Sequence, residues 1–438
     1  MAQKSRGKGK PWSDYFAFPF WKRCSRTTNK RIFKSFYSFL RSNHRWKILM
    51  IVTLLSFYIV VRTVRRHRHG PSSVVSPATH EALNPFESGG LGDLHWGCLL
   101  GKEKHHNMTL AQSSTIPRFS MWIMQTFLDP MISAQLQLTG AFDLHVLAAI
   151  SRTVQAECAL SMPVEANPLV IDVGANVGFF SLYMASQGCQ VLAFEPQESL
   201  MDPIKTSTCL NGLNRRMNIK NAALAATNDG EETELYYDGW NVGDARLAHS
   251  CEKAGGYTRC QQVDSIVQLD DVIPEREQIL LMKIDVSGME SSVLRSMERL
   301  LASQSVYHIV LNYNPAFIGA QESVSILEKL HNYGYSIFYL PFKQKGVSRR
   351  KIPTPHFKDT LHLWAIDSLT RPDAPQTVQV MRIPEEAFSC FPSLLKAGKV
   401  EGGRKFGDLF VLPHHRVPNM FGGRAEILST VSCDSSRW

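Results

Sequence analysis

The sequence lacks several features that would place it in a simple class. No apolar run reaches the roughly 20 residues of a full membrane-spanning helix, and no internal repeat is visible, which excludes a solenoid. The patterns G-x-x-x-x-G-K-S/T and Asp-x-Asp are both absent, which excludes a P-loop and argues against a metal-dependent glycosyltransferase. A chain of 438 residues with 44% hydrophobic and 20% charged residues is neither disordered nor a disulfide-dense mini-protein.

Charge is distributed unevenly along the chain. Residues 1–47 hold 13 Lys and Arg residues against one acid, and residues 62–68 add four Arg. Because the formal net charge of the whole chain is +9, residues 69–438 sum to −7. A basic end on an acidic body is typical of a membrane-associated protein, so we expect no nucleic-acid partner.

A short uncharged segment lies between the two basic clusters. Residues 48–61 read ILMIVTLLSFYIVV, and these fourteen residues would span only about 21 Å of a hydrocarbon core of about 30 Å. The aliphatic stems of Lys47 and Arg62 can extend the segment, so residues 46–64 are predicted to be a transmembrane signal anchor in the lipid bilayer. The basic excess before it predicts a single-pass type II protein of the Golgi or endoplasmic reticulum with a lumenal body. A buried helix of a soluble protein and a mitochondrial presequence are the alternatives.

The cysteines and one sequon agree with a lumenal body. Of nine cysteines, Cys24 lies on the predicted cytosolic side, and the remaining eight form an even set that suits an oxidising compartment. Cys251 and Cys260, nine residues apart, are the favoured local pair, although buried thiols would also fit. Asn107 begins the only Asn-x-Thr triplet and is a predicted N-glycan site.

Composition shifts divide the chain into segments. The lead-in is predicted to contain helices at Met121–Leu128 and Leu144–Val154, and short apolar strands alternate with amphipathic helices from Pro168 onward, which predicts an α/β domain with a mainly parallel sheet. The predicted segments are a basic tail (1–45), the anchor (46–64), a stem (65–110), a helical lead-in (111–166), the α/β domain (167–368) and a C-terminal extension without an assigned role (369–438). The predicted strands cover residues 169–171, 189–194, 217–224, 279–284, 307–311, 335–340 and 361–366.

One glycine-containing turn carries the functional signal. It reads Asp172-Val-Gly174-Ala-Asn176-Val-Gly178, and Glu195 ends the next strand 17 residues after Gly178. A dinucleotide loop would need glycine where Asn176 stands, whereas a cofactor without a pyrophosphate fits. An acid at the end of the second strand can accept both hydrogen bonds of a ribose diol. The turn therefore predicts a site for S-adenosylmethionine, with Asp172 facing the cationic methionine end.

The stretch from about Val170 to Leu340 resembles the FkbM family of S-adenosylmethionine-dependent methyltransferases. The matching pieces are IDVGANVGFFSL (171–182), AFEP (193–196), NVGDARL (241–247), VDSIVQLDDV (263–272) and LMKIDVSGMESSVLRSMERLL (281–301). The resemblance implies a Rossmann-like class I fold with a seven-stranded, mostly parallel sheet, and usually O-methylation. It also implies that five residues line the cofactor site: Asp172, Gly174, Asn176, Gly178 and Glu195.

Two positions depart from the family pattern at the acceptor side. Where the family reads DVEGxE, this chain has Ser287, and Asn312 stands where an acid often follows the fifth strand. Asp285 is the candidate base or acceptor orienter, with helix capping as its alternative role. Glu290 is a weaker catalytic candidate because an acid in the first turn of a helix is explained by the dipole alone. No set of Cys, His and Asp stands at ligand spacing, so no metal site is expected.

The sequence thus predicts a lumenal S-adenosylmethionine-dependent O-methyltransferase. The predicted acceptor is a hydroxyl group of a sugar, a glycan or a similar small hydroxylated molecule. A catalytically inactive, cofactor-binding scaffold is the alternative if Ser287 and Asn312 replace essential acids. A type II membrane glycosyltransferase is the other alternative.

Overall fold

Nine strands form one mixed sheet in the structure, which is a computed structural model. The described residues lie within one compact unit that runs from Leu83 to Trp438. They are residues 107–226, 234–238, 241–248, 258–263, 265–342, 347–352, 361–366, 377–400 and 405–434.

The strands and helices are numbered here in chain order. The strands are β1 (Met108–Gln112), β2 (Ser120–Met124), β3 (Leu169–Val173), β4 (Gln190–Phe194), β5 (Met217–Lys220), β6 (Ala223–Leu224), β7 (Glu234–Asp238), β8 (Asn241–Ala248), β9 (Thr258–Gln262), β10 (Ile266–Val267), β11 (Ile279–Ile284), β12 (Ile309–Tyr313), β13 (Tyr335–Leu340), β14 (Val347–Ile352), β15 (Leu361–Ile366), β16 (Val378–Ile383), β17 (Gly407–Pro413) and β18 (Ala425–Thr430). The α-helices are α1 (Ile132–Thr139), α2 (Leu144–Glu157), α3 (Phe179–Ser186), α4 (Glu198–Leu210), α5 (Leu269–Val272), α6 (Glu290–Arg295), α7 (Glu298–Ala302), α8 (Pro315–Ile318), α9 (Ala320–Asn332) and α10 (Phe391–Lys396).

The large sheet has the strand order β18-β16-β13-β17-β12-β11-β3-β4-β5. The strands β5, β4, β3, β11 and β12 are parallel, whereas β17 runs antiparallel between β12 and β13. All six residues of β11 are buried, as expected for a central strand that is covered on both faces. Two separate apolar clusters, one on each face of the sheet, form the core.

The C-terminal part of the chain completes this sheet. The predicted class I α/β fold is found, but with nine strands rather than seven, because β16, β17 and β18 all lie beyond the predicted domain end at residue 368. The predicted last strand, β15, pairs with β14 in a separate two-stranded sheet. The residues 377–434 that had no assigned role are therefore part of the same α/β domain.

The lead-in differs from the prediction in one element. The predicted helix at Met121–Leu128 is wrong: residues 120–124 form β2, which pairs antiparallel with β1. Tertiary contacts decide this, because the backbone N–H of Trp122 donates to Ser207 Oγ of α4 at 2.9 Å. The predicted helix at Leu144–Val154 is confirmed within α2.

Two disulfides tie distant parts of the domain. Cys158 bonds to Cys189, and Cys390 bonds to Cys433. The predicted partner of Cys260 lies outside the described residues, so that pair stays a prediction. In the part of the chain that the structure describes, no helix has the length and apolar character to cross a membrane, and the predicted anchor at 46–64 lies outside that part.

Candidate functional site

The loop after β3 forms one wall of the site. Gly174 has a φ of +79°, and a Cβ at this position would lie 2.0 Å from the backbone oxygen of Asp285, so only glycine fits. Asn176 has a φ of +52°. Its side-chain amide donates to the backbone oxygen of Gly243 at 2.8 Å, and its Oδ1 accepts from the N–H of Val177 at 2.7 Å. The loop is therefore held to β8 in one shape.

Glu195 stands at the end of β4, next to this loop. Its Oε2 accepts the N–H of Asn176 at 2.8 Å, and its Oε1 accepts the N–H of Gln197 at 2.9 Å. Each carboxylate oxygen thus uses one lone pair and keeps another. Burial raises the pKa of Glu195 to about 7, against the opposing effect of the two backbone hydrogen bonds.

A cavity of about 570 Å³ opens at the carboxyl ends of the parallel strands. Its position is the one that open α/β sheets use for ligands. The predicted residues Gly174, Asn176, Glu195 and Asp285 line it. Its aromatic lining residues are Phe142, Phe179, Phe180, Phe194, Phe317, Phe342 and Phe406, and its polar lining residues include Asp143, His145, Asp244, Lys283, Ser287, Asn312 and Asn314.

Asp172 and Gly178, which were predicted to line the cofactor site, lie behind the cavity wall in the described structure. Asp172 is buried, and its Oδ2 accepts a hydrogen bond from Ser181 Oγ at 2.6 Å. Its other oxygen is 3.6 Å from Lys283 Nζ. Gly178 packs against Ile204, where a Cβ would come within 3.1 Å of that side chain. Both residues support the loop from behind, because β3 turns its Asp172 side chain toward α3.

Lys283 is a buried cation between two carboxylates. Its Nζ is 3.4 Å from Asp285 Oδ2 and 3.6 Å from Asp172 Oδ1, and it lies over the ring of Phe180. Burial lowers the pKa of Lys283, but the two carboxylates outweigh it and the pKa is raised. Burial raises the pKa of Asp172, and the ammonium group of Lys283 opposes that rise. The lysine therefore remains a cation and fixes the Asp285 side chain at the cavity wall.

The two catalytic candidates occupy different surroundings. Asp285 faces the cavity and does not cap α6, whose N-cap residue is Met289. Glu290 is buried, and its carboxylate accepts the backbone N–H groups of Val286 at 3.2 Å and Gly288 at 2.9 Å. Glu290 thus shapes the turn before α6 and is not among the described residues that line the cavity.

The two departures from the family pattern both lie at the cavity. Ser287 has a φ of +52°, and its Oγ donates to Asp244 Oδ1 at 3.1 Å. Asp244 also pairs with Arg246 at 2.7 Å, and the guanidinium group of Arg246 lies 3.7 Å above the ring of Phe317. Asn312, at the end of β12, completes this side of the lining.

Several functional candidates were not predicted from the sequence. His145 Nε2 and Asp408 Oδ2 are 2.7 Å apart and buried, and Asp143 lines the cavity beside them. Asp408 and Lys283 are each a charged residue inside an otherwise apolar strand, and this sequence signal could have identified both of them. Nothing in the sequence joins His145 to Asp408, which follows 263 residues later. Over the described ranges, no three His, Cys, Asp or Glu side chains are arranged to hold a metal ion.

Comparison with known proteins supports a methyltransferase domain. Residues 172–337 match the model of the methyltransferase FkbM domain, which confirms the predicted resemblance over that range. The chain is 28% identical over 160 residues to methyltransferase sdnD of Sordaria araneosa, covering 30% of this chain and 61% of that protein. It is 27% identical over 192 residues to methyltransferase 1 of Beauveria bassiana, covering 37% of this chain and 75% of that protein.

A third relative is much longer than this chain. The AMB antimetabolite synthetase AmbE of Pseudomonas aeruginosa is 29% identical over 207 residues, which cover 39% of this chain but 10% of that protein. This chain thus spans only 10% of the length of AmbE and 61% of the length of sdnD. Each of the three matches covers less than half of this chain.

Proposed function

We propose that this chain is an S-adenosylmethionine-dependent O-methyltransferase whose acceptor is a hydroxyl group of a sugar, a glycan or a similar hydroxylated molecule. The observation that carries the proposal is Glu195, a buried carboxylate that ends β4 with one lone pair unused on each oxygen, beside the close-packed turn at Gly174. This arrangement fits a ribose diol, since each hydroxyl group can donate to one oxygen.

The cofactor fits the residues that line this end of the cavity. Glu195 would bind the ribose, and the backbone of the Gly174 turn would pass close to the methionine portion. The acids Glu195, Asp143 and Asp285 outnumber the cation Lys283 in the lining, which favours a positively charged ligand. When bound, S-adenosylmethionine supplies an electrophilic methyl group on a positively charged sulfur.

The other end of the cavity has the chemistry of a hydroxyl acceptor site. Carboxylate, amide and hydroxyl groups of Asp285, Asn312, Asn314 and Ser287 can bind several hydroxyl groups. Phenylalanine rings beside them can cover the apolar face of a sugar ring. The chain's task in such a reaction is to orient the acceptor oxygen, exclude water and receive one proton.

The cofactor assignment is tested by replacing Glu195. In calorimetric titration of the full chain with S-adenosylmethionine, Glu195→Ala should weaken binding by at least about 100-fold, because hydrogen bonds to a charged group contribute about 1.5–3 kcal/mol each and 1.4 kcal/mol is tenfold. Because the carboxylate is the binding form and its pKa is about 7, wild-type affinity should be higher at pH 8 than at pH 6.

Glu198→Ala is the matched control, since Glu198 is an exposed acid three residues further on. This variant should bind the cofactor as the wild type does. Thermal unfolding without ligand separates loss of the site from loss of the fold. Wild-type-like affinity of a folded Glu195→Ala variant would refute the assignment, and cofactor binding without transfer to any acceptor would favour the inactive scaffold.

We further propose that residues 46–64 anchor the protein and that the domain lies in the lumen of the Golgi or endoplasmic reticulum. The disulfides Cys158–Cys189 and Cys390–Cys433 suit an oxidising compartment. Asn107, at the start of the described domain, is exposed and can accept a glycan.

Glycosylation at Asn107 tests this location. In cells, the wild-type chain should lose mass on endoglycosidase treatment, and Asn107→Gln should not. Thr109→Ser is the control that keeps the sequon and therefore the glycan. In intact microsomes the domain should resist added protease. Cleavage of the domain there, or recovery of an unglycosylated chain from mitochondria, would contradict a lumenal location.

A further inference from the structure

Charged side chains converge on one side of the cavity from segments outside the family match. Asp143 precedes α2, His145 lies in the first turn of α2, and Asp408 comes from β17. Asp285 and Lys283, at the end of β11, face them from the sheet. Asp143 and His145 line the cavity, whereas Asp408 lies behind His145.

Asp143 has an unusual conformation for a residue at the start of a helix. It is the N-cap residue of α2 but makes no side-chain hydrogen bond to the helix, although Asp at this position normally bonds to a first-turn N–H group. Its backbone is left-handed, with a φ of 39° and a ψ of 66°, a conformation that is unfavourable for most non-glycine residues. The helix therefore gains no capping hydrogen bond from this carboxylate, which lines the cavity instead.

The carboxylates near the cavity differ in what they already bind. Asp285 pairs with Lys283 at 3.4 Å, and Asp408 pairs with His145 at 2.7 Å. Within the described residues, the carboxylate of Asp143 forms neither a hydrogen bond nor an ion pair. A general base needs a lone pair that is available to the incoming proton, and among these three acids Asp143 meets that condition best.

We propose that Asp143 is the general base that takes the proton of the acceptor hydroxyl group, and that His145, held by Asp408, is its positioning residue. This inference rests on the proposed O-methyl transfer. The acceptor O–H bond breaks as the oxygen forms its bond to the methyl carbon, and the proton passes to Asp143. The electron pair of the broken CH₃–S bond stays on sulfur, so a carboxylate and a sulfonium become a carboxylic acid and a neutral thioether.

The surroundings of Asp143 suit this role. Burial is the largest cause that raises the pKa of Asp143 to about 7; His145 and Lys283 oppose the rise, and the carboxylates of Asp408 and Asp285 add to it. A base works best when its pKa lies near the working pH. His145 also packs on Phe342, with ring centroids 4.1 Å apart, so the start of α2 is held against the cavity wall.

Methyl transfer by the full chain tests the proposal. The probes are S-adenosylmethionine with a tritiated methyl group and a panel of methyl hexopyranosides as acceptors. Asp143→Asn should lower kcat by about 10²–10⁴-fold, the usual contribution of a positioned base, and should change cofactor affinity far less than kcat. Asparagine tolerates the left-handed backbone, so the variant should keep the fold. Asp202→Asn, on the exposed side of α4, is the control and should keep the wild-type rate.

The pH profile distinguishes Asp143 from Asp285 and tests the positioning pair. At saturating cofactor, where the titration of Glu195 no longer limits binding, the wild-type kcat should rise with pH through about 7. This rising limb of the profile should vanish in Asp143→Asn but remain in Asp285→Asn. Asp408→Asn should move the limb to lower pH and His145→Gln to higher pH, because the two groups affect Asp143 in opposite directions. A merely structural pair would lower the rate without these opposite shifts.

The other outcomes are also decisive. An Asp143→Asn variant with near wild-type kcat, or loss of the limb in Asp285→Asn instead, would overturn the assignment of the base and leave the proposed function intact. Cofactor binding without transfer to any hexopyranoside would overturn the acceptor class and this inference with it. Failure of the wild type to bind S-adenosylmethionine would overturn the proposed function itself.

Discussion

A chain that ends at residue 368 should not fold. The truncation removes β17, which pairs with β12 on one side and β13 on the other. The four residues 409–412 are fully buried and apolar. Burial of one such side chain contributes about 1.5–3 kcal/mol, so losing four removes about 6–12 kcal/mol. That loss is comparable with the whole stability of a typical domain, about 5–15 kcal/mol.

The yield of protein that stays soluble in detergent, which the proposed anchor at 46–64 requires, and circular dichroism measure this result. The truncated chain should aggregate or lack a cooperative thermal transition, since β12 and β13 would expose unpaired edges. A chain that ends at residue 434 is the control, because it keeps all nine strands and both described disulfides. A soluble 1–368 chain that unfolds cooperatively would show that the C-terminal strands are dispensable.

Gly174→Ala should abolish cofactor binding and strongly destabilise the domain. The new Cβ would lie 2.0 Å from the backbone oxygen of Asp285, and backbone atoms cannot move aside as a flexible side chain does. The φ of +79° adds a penalty of about 1–2 kcal/mol for alanine. We expect a total loss of more than about 3 kcal/mol in the free energy of unfolding, at the upper end of single substitutions.

Gly212→Ala separates the steric clash from the backbone penalty as causes of the expected destabilisation. Gly212 has a φ of +67°, but a Cβ there meets nothing within 4 Å, so this variant carries the backbone penalty without the clash. Urea unfolding should show a loss of about 1–2 kcal/mol for Gly212→Ala and unchanged affinity for S-adenosylmethionine. Equal losses in the two variants would refute the close approach between the Gly174 turn and Asp285.

The cofactor half of the site was predictable because it is local in sequence. Gly174, Asn176 and Glu195 lie on two consecutive strand ends, and the parallel sheet brings those ends together. The direction of the Asp172 side chain was not predictable, because sequence alone does not fix which side of the sheet a residue inside a buried strand faces. Only the packed structure shows that Asp172 faces Ser181 and Lys283.

The part of the proposed acceptor half that comes from outside the family match was not predictable, for the opposite reason. Asp143, His145 and Asp408 meet only after β17 has paired between β12 and β13, a contact of long sequence separation. The antiparallel insertion of β17 between β12 and β13 also explains why residues 377–434 showed no regular sequence pattern of their own. Strand pairing there depends on partners far away in the chain, and local propensity carries little of that information.

The place of β17 in the sheet also determines when the domain can form during synthesis. A nascent chain that has already produced β12 and β13 still has an open position between them until residue 413 has emerged. Closure of the sheet is therefore a late event, and the exposed edges need protection until then. A premature stop codon between codons 338 and 407 leaves the family match at 172–337 intact and yet removes β17, the strand that closes the sheet. We therefore expect truncating alleles within this interval to be as damaging as early ones.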